Sequence, residues 1–130
     1  MTMNNDGFVD DVANRVKSVL GSNVAICKKK NGIFTFTRLE PANVYGMKID
    51  LFWEDWLRIL GEGGFDEEIA LADKAVETAS DLILRVATGG VAQRRLGPLR
   101  LGRQIIADER IEAWVRRGRR PFLWHVWEPW

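Results

Sequence analysis

Phe8, Val9, Val12, Ala13, Val16, Val19 and Leu20 recur at three- and four-residue spacing, which predicts an amphipathic helix over 6–20. Asp6 stands where an N-cap is expected, and Gly21 just past the end. Val24 to Lys30 and Ile33 to Leu39 then flank Asn31-Gly32, the pair that most readily takes the positive φ values of a two-residue type I′ turn. A β-hairpin is predicted. With the turn on that pair, Lys30 faces Ile33 and Cys27 faces Phe36, with Ala25 and Phe34 on the same sheet face. Val24, Ile26, Thr37 and Leu39 occupy the other face.

Pro41 ends that strand, and Met47, Ile49 and Leu51 alternating with Lys48 and Asp50 predict a third strand near 45–52, continuing a meander. Phe52, Trp53, Trp56, Leu57 and Leu60 also fit a helix. With Glu54-Asp55 as first-turn acids, they predict a short helix over 54–60 closed by Gly61. Gly61-Glu62-Gly63-Gly64 reads as a flexible connector, after which Asp66 caps the longest helix, over 66–88, ended by Gly89-Gly90. Its buried stripe is Ile69, Ala72, Val76, Ala79, Ile83 and Val86, widened by Ala75 and Leu82. Val91 to Leu96 and Leu99 to Ile106, around Gly97-Pro98, are two more strands or an irregular arm. Asp108 caps a last helix through Ile111, Trp114 and Val115 to Gly118, and Pro121 to Trp130 form an aromatic strand or an extended tail. The whole is an α+β fold, helices packed on one antiparallel meander sheet, a two-layer single domain over 1–130.

A chain of 130 residues with one Cys and one His builds its core without disulfides or metal, which excludes a zinc finger or a disulfide scaffold. No apolar run approaches the roughly 20 residues of a membrane span, and the acidic, polar start is unlike a signal peptide. No membrane partner is expected, and the expected compartment is the cytoplasm. Charge alters this plain picture, because the net of +1 hides two opposed parts. Residues 1–92 carry 10 basic and 14 acidic side chains, whereas 93–130 carry 9 Arg against Asp108, Glu109, Glu112 and Glu128. Such asymmetry serves either an internal clasp or a surface for a charged partner.

Chemistry is sparse. Cys27 and His125 are the one thiol and imidazole available for nucleophilic catalysis. Mid-strand, Cys27 reads as a small buried hydrophobe, and His125 as a partly exposed structural residue. Asp50, Glu54, Asp55, Glu62, Asp66, Glu67 and Glu68 offer oxygens for Mg²⁺, but in no spacing of a nuclease or phosphatase motif. There is no GxGxxG or GxxxxGK[ST], and Gly61 to Gly64 hold a carboxylate where a phosphate cradle would repel its ligand. The reading is of a chain that is not an enzyme, with no cofactor and no metal.

Two surfaces remain. Asp73, Glu77 and Asp81 fall at four-residue steps and line up on one helix face, within a stretch from 54 to 81 of nine acids against Arg58 and Lys74. This is either a solvated face relieved by Lys74 and Arg85 or a negative patch for a basic partner. The second surface is the tract Arg94, Arg95, Arg100, Arg103, Arg110, Arg116, Arg117, Arg119 and Arg120, followed by Phe122, Trp124, Trp127 and Trp130. It carries the groups that bind phosphate and stack on bases. Alternatively, Trp124 and Trp127 finish the core and the Arg residues neutralise the acidic helix. A sequence pI of 7.9 puts nucleic acid, through Arg116, Arg117, Arg119, Arg120 and Trp124, behind a protein partner.

The layout of a helix from Asp6 to Leu20, a meander around Asn31-Gly32, an acidic helix from Asp66 to Thr88 and a Trp-rich end resembles small cytoplasmic immunity proteins. Those proteins neutralise bacterial contact-dependent-inhibition toxins. The resemblance implies a one-to-one complex that occludes a basic toxin domain. Glu62, Asp66, Asp73, Glu77 and Asp81 would then be the contact residues by charge complementarity.

Overall fold

The first apolar stripe forms α1 (Asn5–Leu20), whose Val9, Val12, Ala13 and Val16 are buried. The computed structural model describes residues 5–54, 56–62, 65–70, 72–89, 91–96, 99–106 and 124–130. Asp6, expected as the N-cap, lies inside α1. Gly21, at φ +57°, takes the left-handed conformation with which helices commonly end, and a 3₁₀ turn over Gly21–Asn23 leads into the sheet.

β1 (Val24–Asn31) and β2 (Phe34–Pro41) form the expected hairpin with a different turn. Asn31 pairs with Phe34, so the two turn residues are Gly32 and Ile33. Gly32 has φ +64° and Ile33 does not share a positive φ. That pattern belongs to a type II′ turn, which needs glycine only at its first central position and spares a β-branched residue the left-handed region. Lys29 therefore faces Phe36, and Cys27 faces Arg38 in place of Phe36. The register moves by two residues. Because side chains alternate with a period of two, each stays on its expected face, and Val24, Thr37 and Leu39 are buried together.

β3 (Ile49–Trp53), β4 (Leu57–Gly61) and β5 (Phe65–Ile69) continue the meander, giving a five-stranded antiparallel sheet in the order β1-β2-β3-β4-β5. Here the structure corrects two expected helices. Residues 57–61 are a strand whose Leu57 and Ile59 are buried while Arg58 and Leu60 are half-buried on the other face. Phe65 and Ile69 also belong to a strand, paired with Gly61 and Leu57. A four-residue step between apolar residues keeps them on one side of a helix and of a strand alike, so Trp53, Leu57, Phe65 and Ile69 satisfied both patterns. Pairing with β3 decided the matter. α2 (Ala75–Gly89) starts nine residues later than the expected Asp66 cap, and buries Ala75, Ala79, Ser80, Ile83, Val86 and Ala87. Val76 and Leu82 pack partly exposed against the same core.

Both helices lie on one face of the sheet, α1 across β1 to β3 and α2 beside α1 and against β5. Among the described residues the architecture is α+β: two helices on an open antiparallel meander, with the core between the layers. Phe8 meets Trp53 edge to face at 5.6 Å between ring centres. Burying each large apolar side chain of this core contributes about 1.5 to 3 kcal/mol before chain entropy is counted.

β6 (Val91–Leu96), β7 (Leu99–Ile106) and β8 (Trp124–Trp127) resolve the expected strands or arm as a second antiparallel sheet, ordered β7-β6-β8. Trp127 and Trp130 pack against the main core. The N–H of Trp130 donates to the carbonyl of Ala87 (2.8 Å), that of Glu128 to Tyr45 (2.9 Å), and the Asn43 side chain to Pro129 (2.8 Å). The chain end is thus tied to α2 and to the β2–β3 loop. The expected helix from Asp108 to Gly118 lies outside the described residues. Among the described residues no helix is long and apolar enough to cross a membrane.

Candidate functional site

The register fixes what each sheet face presents. On the face away from the helices, Cys27, Arg38, Asp50, Leu60 and Asp66 stand in one row across five strands. In the next row Lys29 faces Phe36, and Phe52, Arg58 and Glu68 follow across β3, β4 and β5. Continuing the β2–β3 register by one residue sets Phe36 opposite Phe52. The lysine end is on β1 and the acidic end on β5.

On this face two guanidiniums serve four carboxylates. Arg38 makes a bidentate pair with Asp50, through Nε to Oδ1 at 2.8 Å and Nη2 to Oδ2 at 3.1 Å. Arg58 serves three carboxylates: Asp66 at 2.8 Å, Glu54 at 3.3 Å and Glu68 at 3.4 Å. Its contact with Glu68 is ionic and not a hydrogen bond, since Nε has no acceptor in line. Each guanidinium also lies over a ring, Arg38 over Phe36 at 5.6 Å and Arg58 over Phe52 at 5.8 Å. The hydrogen bond to Asp50 holds Arg38 above its ordinary pKa against desolvation, helped by the charges of Asp50, Glu40 and Glu62. For Arg58, desolvation lowers the pKa, but the bond to Asp66 and the charges of Asp66, Glu68 and Glu54 outweigh it, leaving it raised. A raised cation stabilises fully below its unfolded pKa and loses that contribution only as pH climbs past its folded value. Both arginines therefore act in full at neutral pH.

The five acids expected to act together are divided by the fold. Asp66 is on the outer face, engaged by Arg58. Glu62 follows β4, where its carboxylate accepts from the Lys48 N–H at 3.3 Å. Asp73 is in the turn before α2 rather than on it, so the expected three-residue helical row is reduced to Glu77 and Asp81. Both are exposed, and neither forms an ion pair among the described residues. The relief expected from Lys74 and Arg85 is not made. Strand alternation adds a residue that helical reasoning could not separate from its neighbours: Glu67 faces Ile59, on the helix side of the sheet, exposed and without an ion pair among the described residues. Glu67, Asp73, Glu77 and Asp81 are thus exposed acids without an ion pair among the described residues.

Lys74 has φ +65°, and its carbonyl accepts the first helical hydrogen bond, from Thr78 at 2.9 Å. It stands at the N-cap position without an acceptor side chain. Cys27 is half-buried on the outer face rather than enclosed, and His125 is in β8, so the two belong to different sheets. No group of three or more His, Cys, Asp or Glu gathers to hold a metal among the described residues. Arg116, Arg117, Arg119 and Arg120 lie outside those residues, and Trp124 opens β8 opposite Arg94. Neither a scan of protein-family models nor searches of curated proteins and of solved structures returned a match.

Proposed function

We propose that the chain is a non-catalytic protein-binding module, a cytoplasmic immunity protein that binds and neutralises a basic toxin domain in a one-to-one complex. The observation that carries this reading is the pair Glu77 and Asp81, exposed on adjacent turns of α2 and without an ion pair among the described residues although Lys74 and Arg85 stand at salt-bridging positions. Unmatched charge of one sign on a folded surface steers an oppositely charged partner. Asp66 and Glu62 are engaged within the fold, so the contact set narrows to Asp73, Glu77 and Asp81, with Glu67 beside α2.

The test is to purify the tagged chain from cells that make it, with and without nuclease treatment, and to repeat this with Asp73→Lys, Glu77→Lys and Asp81→Lys combined. A stoichiometric protein that survives nuclease and is lost from the variant supports the reading. Its retention by the variant removes the acidic surface from it. If all bound material disappears with nuclease, the nucleic-acid reading through Arg116, Arg117, Arg119, Arg120 and Trp124 replaces it, and low-salt titration of oligonucleotides would show a steep salt dependence.

A further inference from the structure

Pairing between β2 and β3 runs only from Leu39 and Ile49 to Thr37 and Leu51. Toward the tips, β1–β2 pairing continues to Asn31 and Phe34, and β3–β4 pairing to Trp53 and Leu57. Beyond Thr37 and Leu51 the two hairpins are therefore not laddered to each other, and a hollow opens on each side of the sheet there. The hollow on the helix side, about 230 Å³, contains the ion pair of Asp10 with Lys28, which leaves it without net charge. The hollow on the outer side is about 280 Å³ and is lined by Asn31, Thr35, Phe36, Phe52 and Glu54. That volume, below the roughly 300 to 1,000 Å³ of small-molecule sites, suits a single side chain. Strand alternation puts Asn31, Phe36, Phe52 and Glu54 on the outer face, and Thr35, opposite Lys30, on the helix face.

The outer hollow has the chemistry of a cation site. Two phenyl rings wall it, and its outer-face polar side chains are the Asn31 carboxamide and the Glu54 carboxylate. Among the described residues no cationic side chain lines it. Glu54 is 60% exposed and engages Arg58 through Oε2 alone, at 3.3 Å, so Oε1 has no partner among the described residues. Arg58 does not neutralise it fully, because the same guanidinium holds Asp66 at 2.8 Å and Glu68 at 3.4 Å. Three carboxylates on one cation leave an excess of negative charge beside the rings. Both rings already stack with a guanidinium, Phe36 with Arg38 and Phe52 with Arg58, neither of which lines the hollow. Lys29, opposite Phe36 on β1, opposes a cationic occupant only from outside it. A planar cation on an unbranched apolar stem satisfies rings, carboxamide and carboxylate together.

We infer that the outer cleft between the two hairpins takes one arginine side chain of a partner protein. Its guanidinium pairs with Glu54 and Asn31, and its stem lies between Phe36 and Phe52. The site uses none of the residues assigned to the α2 surface and is on the other face of the sheet, so either reading can fail alone.

The probe is a blocked pentapeptide with one central arginine between serines and glycines, titrated to millimolar concentration against the full ¹⁵N-labelled chain. Saturable shifts of the amides of 31–36 and 52–54 are expected, with those of α2 unmoved. Replacing the arginine by citrulline, which keeps the shape and removes the charge, should weaken binding at least about tenfold, and glutamate in its place should abolish it. In the chain, Glu54→Gln should weaken binding by a similar factor, Lys29→Gln should strengthen it about twofold, and Glu77→Lys should leave it unchanged. All three side chains are exposed, thermal unfolding checks that each variant keeps the fold, and the citrulline comparison needs no variant. Equal binding of the citrulline or glutamate peptide, unchanged binding by Glu54→Gln, shifts confined elsewhere, or no shift at millimolar peptide would each overturn the inference. So would a second copy of the chain filling the cleft, read as a doubled mass in light scattering that Glu54→Gln returns to the single mass.

Discussion

The outer face of the sheet and the exposed face of α2 both carry carboxylates, and the fold treats them in opposite ways. On the sheet, Asp50, Asp66 and Glu68, with Glu54 at the β3–β4 turn, meet Arg38 or Arg58. On α2, Glu77 and Asp81 have no ion pair among the described residues, although Lys74 and Arg85 are near in sequence. Strand register holds cross-strand side chains about 4.5 to 5.5 Å apart at Cβ, so a pair on a half-buried face is set by the backbone. An exposed pair on a helix gains only about 0.3 to 0.5 kcal/mol, which scarcely exceeds the cost of fixing two long side chains. Sequence proximity of opposite charges is therefore a poor guide to pairing, and register a good one.

The contrast breaks first at Arg58. Arg58→Ala leaves Glu54, Asp66 and Glu68 facing one another and uncovers Phe52, and is expected to lower the urea midpoint more than any single change on α2, on the order of 0.5 to 1 M. A midpoint within error of the parent chain would show that this network is decorative. Lys74→Gly comes next and has the opposite sign. Glycine accepts φ +65° freely, so stability should rise by about 1 kcal/mol in denaturant titration. If Lys74 instead neutralises α2 in solution, the gain will be absent.

Smaller effects sharpen the difference. Asp66→Asn removes one partner of Arg58 and is expected to cost about 0.2 to 1 kcal/mol, whereas Glu77→Gln is expected to gain about 0.2 to 0.5 kcal/mol by ending its repulsion with Asp81. Thermal unfolding at low and high salt separates the two. Screening should erase both differences, the loss at Asp66 and the gain at Glu77. Like signs for the two substitutions would mean that the acids of the sheet and of the helix are in equivalent surroundings.

Much of the fold is legible along the chain. The α1 stripe, the hairpin around Asn31-Gly32, the faces of β1 and β2, and the core residues Ala79, Ile83 and Val86 of α2 follow from local spacing. Turn type did not, since Asn31-Gly32 and Gly32-Ile33 both offer a glycine at a central position. The long acidic helix from Asp66 did not form either, and with it went the single acidic row: Asp66 joined a strand and an arginine, and Asp73 a turn.

Sequence by itself determined which residues are apolar and with what spacing, and so the class of the fold and the inward face of most elements. Only the tertiary structure decided between helix and strand over residues 57–69, because a four-residue apolar step satisfies both periods, and the hydrogen bonds that favour the strands come from other strands, β3 for β4 and β4 for β5, rather than from within the segment. That decision also sorted the charges. Strand alternation put Asp66 and Glu68 on Arg58 and turned Glu67 to the helix side, a division that exists only once five strands are in register.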